Sequence, residues 1–329
     1  MNNFSSTLLR WFLDNGRDLP WRQTRDPYAI WLSEIILQQT QVKQGWVYWE
    51  RFMKRWPKVE MLADATEDEV LREWQGLGYY SRARNLHTAA RQIVEMGGFP
   101  STLEGIRQLK GVGEYTAAAI GSFAFDLPAA VVDGNVYRVL SRHFGISTPI
   151  NSTEGKKEFA LLAQELLPSS NLQSQSSNYN QAIMDFGATL CTPQAPRCMD
   201  CPLQETCVAL REDRVGELPV KLKTLKVKER RLVYVYVRYQ GETAIHRRGE
   251  GDIWQGLYEP LLTERVPQGA VLLSQGVKHV LTHRILLADF WLWEPAERPV
   301  LPEGYFWIKE RELDDYGKPR LIEHLISLV

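Results

Sequence analysis

The sequence lacks an excess of charge of either sign, a long apolar run and more than a few cysteines. Its 39 Lys and Arg residues nearly balance 40 Asp and Glu residues, which leaves a net charge of −1. A protein-wide positive field is therefore excluded, and any contact with nucleic acid has to be local. No apolar run reaches the roughly 18 residues of a membrane span, and residues 1–10 lack the apolar core of a secretion signal. These absences predict a cytoplasmic protein whose four cysteines do not form structural disulfides.

The residues that are present suffice for two domains. The chain of 329 residues is longer than a typical domain of about 100–200 residues, and its 44% apolar and 24% charged residues are ordinary for a globular protein. Up to about residue 210, apolar residues recur at spacings of three and four, which predicts helices. From residue 231, alternating valines and tyrosines predict a strand. We expect a helical domain at 1–210, a basic linker at 211–230 and a small α+β domain at 231–329, with further strands at 270–273, 285–293 and 305–308 and a closing helix at 318–329.

Two polar stretches interrupt this pattern. The linker at 211–230 is either a solvated connector or a phosphate-contacting segment, because it carries several Lys and Arg residues. Residues 169–180 are rich in Ser, Asn and Gln, and they predict a loop to which no chemistry is assigned.

All four cysteines lie close together in the spacing C-x6-C-x2-C-x5-C, as Cys191, Cys198, Cys201 and Cys207. In a reducing compartment such a cluster indicates metal binding, either a [4Fe–4S] cluster or a structural Zn²⁺ ion. Zinc ribbons more often use two C-x2-C pairs, and this sequence has one, which favours iron–sulfur. A disulfide or unligated thiols are the alternatives, and the gathering of every cysteine into one short segment argues against them.

A glycine-containing turn separates two predicted helices at Lys110, Gly111, Val112 and Gly113. The two glycines permit a tight turn, and the helix that follows presents its N-terminal N–H groups and its partial positive charge. Such a hairpin holds a DNA phosphate without net protein charge. A simple connection between helices is the alternative interpretation.

Two carboxylates occur in contrasting settings. Glu34 lies in a strongly apolar helical stretch at 29–42, within a helical run that extends to residue 56, so burial would raise its pKa and suit it to donate a proton. Asp133 precedes Gly134 at the start of a predicted helix, where backbone N–H groups would keep it ionised. That division of labour suits cleavage of a glycosidic bond. The alternatives are a glutamate that reaches solvent and an aspartate that only caps its helix.

The hairpin, the aspartate twenty residues after it and the cysteine spacing together resemble the helix-hairpin-helix DNA glycosylase superfamily. Further segments are similar to its adenine DNA glycosylase (MutY) branch: Leu19–Arg22, Leu32–Val42, Gly76–Asn85 and Val132–Val136. The resemblance implies a helical glycosylase domain with an iron–sulfur loop, followed by a Nudix-like domain. It also implies base-excision repair of double-stranded DNA, in which the enzyme removes adenine mispaired with 8-oxoguanine or guanine. Nothing suggests an obligate dimer, so we expect a monomer.

The resemblance also implies roles for individual residues. Glu34 would protonate adenine at N7, and Asp133 would stabilise the oxocarbenium ion or bond to it covalently. Asn135 would support this pair, and Tyr115 would lie beside it. The remaining positions divide into an adenine pocket of Trp21, Arg22 and Gln181 and a DNA contact of Gln39, Tyr79, Lys110, Gly111, Val112 and Gly113. Core aromatics and helix-surface amides are the alternative readings of Trp21, Tyr79, Gln39 and Gln181.

The resemblance is looser in the second domain, which in this family reads 8-oxoguanine. Residues 253–260 are similar to a family segment, but no Glu-rich Nudix metal box follows them, so pyrophosphatase activity is not expected. Leu281, Thr282 and His283 lie where the family carries its lesion-contacting loop. Leu281 replaces an aromatic residue of that loop, and an ordinary strand edge is the alternative.

Two rival functions have to be separated from this one. The endonuclease III branch shares the hairpin, the aspartate and the cluster, but it uses a lysine at the position of Tyr115 to form a Schiff base. Tyrosine cannot form that imine, so we expect a monofunctional glycosylase. A non-catalytic iron–sulfur protein that binds DNA or transfers electrons is the second rival, and the two carboxylates argue against it.

Overall fold

The computed structural model describes residues 3–168, 175–222 and 227–329. Contacts between Cα atoms divide these residues into two compact units. The first unit combines the described residues up to Trp49 with those from Ala89 to Leu222. The second combines Glu50–Thr88 with the described residues from Val227 onwards. This division cuts across the predicted helical domain, and the domain boundaries along the chain remain predictions.

Helices dominate the chain up to residue 211. The described α-helices of this part are α1 (Asn3–Asn15), α2 (Pro27–Leu37), α3 (Val42–Arg55), α4 (Val59–Asp64), α5 (Glu67–Glu73), α6 (Ser81–Glu95), α7 (Leu103–Arg107), α8 (Glu114–Phe125), α9 (Gly134–Phe144), α10 (Thr153–Leu166), α11 (Gln175–Thr189) and α12 (Val208–Arg211). A further helix, α13 (Arg320–Ile326), lies near the end of the chain. Within the described ranges, no helix is both long and apolar enough to cross a membrane.

The core of the first unit forms where α1, α9, α10 and α11 meet. Leu8, Leu140, Phe159 and Phe186 are buried together there. The neighbouring helix α2 is buried along nearly its whole length and packs against α8. Because α2 is apolar on every side, any polar group that it carries is removed from water.

Local chemistry explains where the central helices begin and end. Asp26 caps α2 by accepting a hydrogen bond from Tyr28 N at 3.0 Å, and Pro27 occupies the first helical position. The predicted continuous helix at 29–56 is wrong, because α2 ends at Leu37 and Gln39 adopts a left-handed φ of 57° before α3 begins.

The predicted loop at 169–180 is wrong where it can be compared. Residues 175–180 form the first turns of α11, and residues 169–174 lie outside the described residues. Ser and Asn are only weakly disfavoured in the interior of a helix. Burial of Tyr179 and Asn180 on α11 outweighs that preference.

The described part of the second unit contains one mixed sheet. Its strands are β1 (Lys228–Tyr239), β2 (Glu242–Arg247), β3 (Tyr258–Glu259), β4 (Leu261–Leu262), β5 (Val271–Val280), β6 (Arg284–Trp293) and β7 (Tyr305–Lys309). The strand order is β3-β2-β1-β6-β5, with β4 on β1 and β7 on β2. β1 and β6 run parallel, with Lys228 opposite Arg284 and Val237 opposite Trp293.

The alternation predicted along β1 is confirmed. Tyr234 and Tyr236 face one buried cluster, and Val235 and Val237 face another, so both faces of the strand are covered. The other predicted strands and the closing helix, observed as α13, are also confirmed. Strand β2 was not predicted, although the turn at Gln240 and Gly241, both with positive φ, has the backbone of a tight hairpin.

Candidate active site

A cavity of about 1310 Å³ opens in the first unit. It lies between α2, α8, the N-terminal end of α9 and one side of α11. Every residue predicted for the catalytic site and the adenine pocket lines it, namely Trp21, Arg22, Glu34, Tyr115, Asp133, Asn135 and Gln181. These residues come from five separate segments of the chain, and the fold brings them to one cleft.

Glu34 is the buried carboxyl group of this cavity. Helix α2 holds it at 6% exposure, and the Tyr115 hydroxyl donates a hydrogen bond to its Oε2 at 3.0 Å. Burial raises its pKa from 4.5 to about 7, which the Tyr115 hydrogen bond and the Arg22 charge oppose and the Asp133 charge reinforces. The raised pKa predicted from the sequence is confirmed. Near neutral pH the group is therefore able to give up a proton to a bound base.

Asp133 caps α9, as predicted. Its Oδ1 accepts hydrogen bonds from Asn135 N and Val136 N at 2.8 Å each, and its Oδ2 accepts one from Asn135 Nδ2 at 2.7 Å. Burial nevertheless raises its pKa above the usual value, because desolvation outweighs these donors and the Arg138 charge. The expectation that the two carboxyls shift in opposite directions is therefore wrong, since the sequence shows the capping donors but not the depth of burial.

Tyr115 remains a neutral hydrogen-bond donor. It lies in the first turn of α8, and burial together with the Glu34 and Asp133 charges raises its pKa well above 10. A phenol in this state has no amine with which to attack a sugar carbon. The site thus contains an acid and a carboxylate, and at this position it holds no Schiff-base nucleophile.

Arg138 joins this site to the cysteine segment, and sequence reasoning missed it. Its Nη2 donates to Asn135 Oδ1 at 2.8 Å and to Gly187 O at 2.7 Å, while its Nε donates to Cys191 O at 2.7 Å. The signal that could have identified it is its spacing of three residues from Asn135, which places both side chains on one face of a helix. Through Asn135, this arginine orients the side chain that holds Asp133.

The four cysteine side chains line one small cavity of about 30 Å³. Burial raises the pKa of Cys201 to about 11, and the charges of the other three cysteines act in the same direction. Arg142 Nη1 lies 3.4 Å from Cys191 Sγ. Among the described residues, no three His, Cys, Asp or Glu side chains lie close enough together to bind one metal ion. The shared cavity is the observation that makes these thiols a candidate cofactor site.

The predicted hairpin connects α7 to α8. Gly111 has a φ of +79°, a left-handed conformation that favours glycine, and Gly113 is the N-cap residue of α8. A Cβ placed on Gly113 would meet nothing within 4 Å. Lys110 N donates to Gln92 Oε1 at 2.7 Å, which anchors the turn to α6. The helix-hairpin-helix prediction is confirmed, and the exposed turn leaves room for a phosphate beside the N-terminus of α8.

Comparison with known proteins agrees with this geometry. Residues 32–168 match the family model of the HhH-GPD superfamily base excision DNA repair protein, and residues 233–328 match that of the NUDIX domain. The adenine DNA glycosylase of Buchnera aphidicola from Schizaphis graminum is 35% identical over 258 residues, which are 78% of this chain and 73% of that protein.

This chain belongs to the adenine DNA glycosylase family.

The adenine DNA glycosylase of Mus musculus is 46% identical over 226 residues, which are 65% of this chain but only 43% of the mouse protein. The predicted family is confirmed, and with it the enzyme class of a DNA N-glycosylase in base-excision repair.

Solved structures support the fold class. A thermostable thymine-DNA glycosylase superimposes with a TM-score of 0.58 and 33% identity over 64% of this chain and 95% of that chain. An endonuclease III–DNA complex has a TM-score of 0.54 at 21% identity over 64% of this chain and 94% of that chain, which shows a shared fold alone. The helical glycosylase fold followed by a Nudix-like domain is therefore confirmed.

In the second unit, a residue predicted to contact DNA meets a residue predicted to contact the lesion. The Tyr79 hydroxyl and Thr282 Oγ1 form a short hydrogen bond, although 203 residues separate them in the chain. Thr282 and His283 are exposed in the bend between β5 and β6, whereas Leu281 packs against the core. The structure thus divides the predicted loop into two accessible polar residues and one packing residue.

Two of the residues predicted to contact DNA share an unusual backbone conformation. Gln39 and Tyr79 have φ angles of 57° and 47°, in the left-handed region that non-glycine residues seldom adopt. Both side chains are exposed. Backbone strain of this kind is concentrated at functional positions, which agrees with the predicted role of both residues in DNA contact.

Proposed function

We propose that this protein releases adenine mispaired with 8-oxoguanine, or with guanine, from double-stranded DNA, and that it leaves an uncut abasic strand. The observation that carries the proposal is the pairing of Glu34 and Asp133 across one cleft, with Tyr115 donating to Glu34. A cleft of about 1310 Å³ accommodates a whole nucleotide, so the adenine leaves the base stack to reach it.

The reaction follows from the states of these groups. Glu34 donates its proton to adenine N7, the bond between the sugar carbon and N9 breaks, and its electron pair leaves with the base. The sugar becomes an oxocarbenium ion, whose positive charge Asp133 stabilises from a carboxylate held by three hydrogen bonds. Water then adds to the sugar carbon, and its proton returns to a carboxylate of the site.

Tyr115 supports the monofunctional part of the proposal. Strand cleavage by a glycosylase of this fold needs an amine that forms an imine with the opened sugar. The residue beside Glu34 is a phenol whose pKa lies well above 10, so that route has no nucleophile at this position. The abasic product would then break only on treatment with alkali.

We further propose that Cys191, Cys198, Cys201 and Cys207 hold a [4Fe–4S] cluster, with a single zinc ion as the alternative. The thiol donor set suits either group, and the four thiols line one shared cavity. When bound, the cluster would supply four iron–thiolate bonds that tie residues 191–207 into one rigid segment. Arg138 and Arg142 contact the first ligand, Cys191, so that segment is also held from α9.

We propose that the second unit recognises the base that lies opposite the adenine. The exposed Tyr79–Thr282 pair and His283 present two hydroxyls and an imidazole, which are donors and acceptors for an oxidised purine. We expect Thr282→Val to reduce the preference for 8-oxoguanine over guanine by roughly fivefold, the value of about one hydrogen bond. Single-turnover rates on the two mispairs measure this ratio, and an equal loss on both duplexes would contradict the assignment.

The proposed function is tested with end-labelled duplexes under single-turnover conditions. One duplex carries adenine opposite 8-oxoguanine and the other thymine glycol opposite adenine, and Glu34→Gln is the matched control. We expect adenine release, with strand breaks only after alkali, and no release by the control variant. Cleavage at thymine glycol without alkali would move the protein to the lyase type, and no release from either duplex would leave a protein that only binds DNA. DNA binding as a monomer in the cytoplasm remains part of this proposal.

A further inference from the structure

A fully buried carboxylate stands behind the wall of the active-site cleft. Asp185 on α11 has a side chain that is 0% exposed. Its Oδ2 accepts hydrogen bonds from Arg17 N at 2.9 Å and Arg22 Nη1 at 2.7 Å. Its Oδ1 accepts from Arg17 Nε and Arg22 Nη2, both at 2.8 Å. All the lone-pair positions of the carboxylate are therefore used by two guanidinium groups and one backbone N–H.

The groups that Asp185 holds are parts of the cleft wall. Arg22 and Trp21 belong to a short 3₁₀ helix of one turn at Pro20–Arg22, and both line the cleft. Gln181, one turn before Asp185 on the same face of α11, lines it as well. One carboxylate thus joins the turn that carries two proposed adenine contacts to the helix that carries the third.

The same carboxylate governs the charge next to the general acid. The charged or titratable groups that act on Glu34 are Tyr115 from α8, Asp133 from the start of α9 and Arg22 from the turn. Arg22 favours the ionised form of Glu34 and opposes the effect of burial. Burial acts to raise the pKa of Asp185, but hydrogen bonds from Arg22 and Arg17 lower it overall, so Asp185 remains an anion. An ion-paired arginine acts more weakly on a third group than a free one.

We propose that Asp185 is a positioning residue for adenine excision, which fixes the turn carrying Trp21 and Arg22 against α11 and neutralises the cationic wall of the cleft beside Glu34. This inference rests on the proposed function. It assigns Asp185 no contact with the substrate, and it differs from a purely structural role because it predicts a change in the pH dependence of base release.

The test compares pH–rate profiles of single-turnover adenine release for the wild-type chain of 329 residues, three variants and one control variant. In Asp185→Asn, Arg22 loses its counter-charge, so Glu34 ionises more readily. The alkaline limb should move to lower pH by roughly 0.5–1 unit, a fraction of the effect of a close opposite charge. Removing the Arg22 charge as well, in Asp185→Asn/Arg22→Gln, should move the limb back up. Asp185→Glu keeps the charge but alters the geometry, so it should lower the plateau rate about tenfold without moving the limb, a loss equivalent to about 1.4 kcal/mol.

The control is Glu310→Gln, which breaks a partly exposed carboxylate–arginine pair with Arg238 in the second unit. It should leave both the limb and the plateau unchanged. An alkaline limb that stays in place in Asp185→Asn, or that the double variant does not move back, would overturn the proposal. If Asp185→Asn does not fold, Asp185→Glu decides, because a wild-type plateau or a displaced limb in that variant contradicts the proposal. Failure of the proposed function is distinct, since the wild type itself would then release no adenine.

Discussion

Replacing Glu34 by glutamine should make the protein more stable at alkaline pH while it abolishes base release. Glu34 is 6% exposed, and burial raises its pKa from 4.5 to about 7. The folded protein therefore binds more protons than the unfolded chain between these two values, and its stability falls as the pH rises through that window. Above pH 7 the buried charge has its full cost, whereas below pH 4.5 it has none.

The magnitude follows from the two pKa values. A difference from 4.5 to about 7, at about 1.4 kcal/mol per unit, makes the ionised form cost roughly 3 kcal/mol in the folded state. Glutamine has nearly the same shape and no charge, so it avoids this cost while it still accepts a hydrogen bond from Tyr115. For a unit of this size, about 3 kcal/mol corresponds to an increase in Tm of roughly 6–12 °C.

Thermal melts of Glu34→Gln and the wild type at pH 5 and pH 8.5 measure this effect. We expect nearly equal Tm values at pH 5 and a higher Tm for the variant at pH 8.5, with no adenine release by the variant at either pH. The control is Glu158→Gln, at an exposed position on α10, which should not alter the difference between the two pH values. A pH-independent difference between Glu34→Gln and the wild type would refute the reasoning, and so would a variant that retains activity.

Three further predictions concern other parts of the molecule. Tyr115→Phe removes the hydrogen bond that favours ionised Glu34, so the alkaline limb of the pH–rate profile should move up by roughly one unit, and an unmoved limb would count against this contact. Cys198→Ser should abolish broad absorbance near about 400 nm in the purified protein, whereas a colourless wild type that contains zinc would reverse the cofactor assignment. Asp252 is only partly buried, and although this desolvation acts to raise its pKa, hydrogen bonds and charges from Arg230 and other arginines lower it overall to about 2. Asp252→Asn should therefore cost about 1–3 kcal/mol in urea unfolding at pH 7 and progressively less towards pH 2, and a constant difference would refute this.

The two carboxyl groups, Glu34 and Asp133, illustrate how far sequence reasoning reaches. The apolar neighbours of Glu34 within one helix were sufficient to predict its burial and raised pKa. The capping role of Asp133 followed equally well from the residues beside it. The direction of the pKa shift of Asp133 did not follow, because desolvation depends on side chains that reach it from other helices and outweighs the local donors.

By itself, the sequence determined what depends on neighbours along the chain. The strand alternation of β1, the cap of α9 and the glycine turn of the hairpin are local patterns, and each appears in the structure as predicted. Local propensity was also wrong where packing is stronger, since the polar residues 175–180 are helical. The break after Leu37 was missed because nothing in a local apolar pattern marks a left-handed residue such as Gln39.

The tertiary structure alone decided which distant residues meet. Tyr115 and Glu34 are 81 residues apart, Tyr79 and Thr282 are 203 apart, and Asp185 lies 163 residues from Arg22. Periodicity reports which face of a helix or strand is apolar, but it carries no information on which segment covers that face. The pKa of Glu34 and the position of the turn that carries Trp21 and Arg22 depend on such long-range contacts, because burial and charge act through space rather than along the chain.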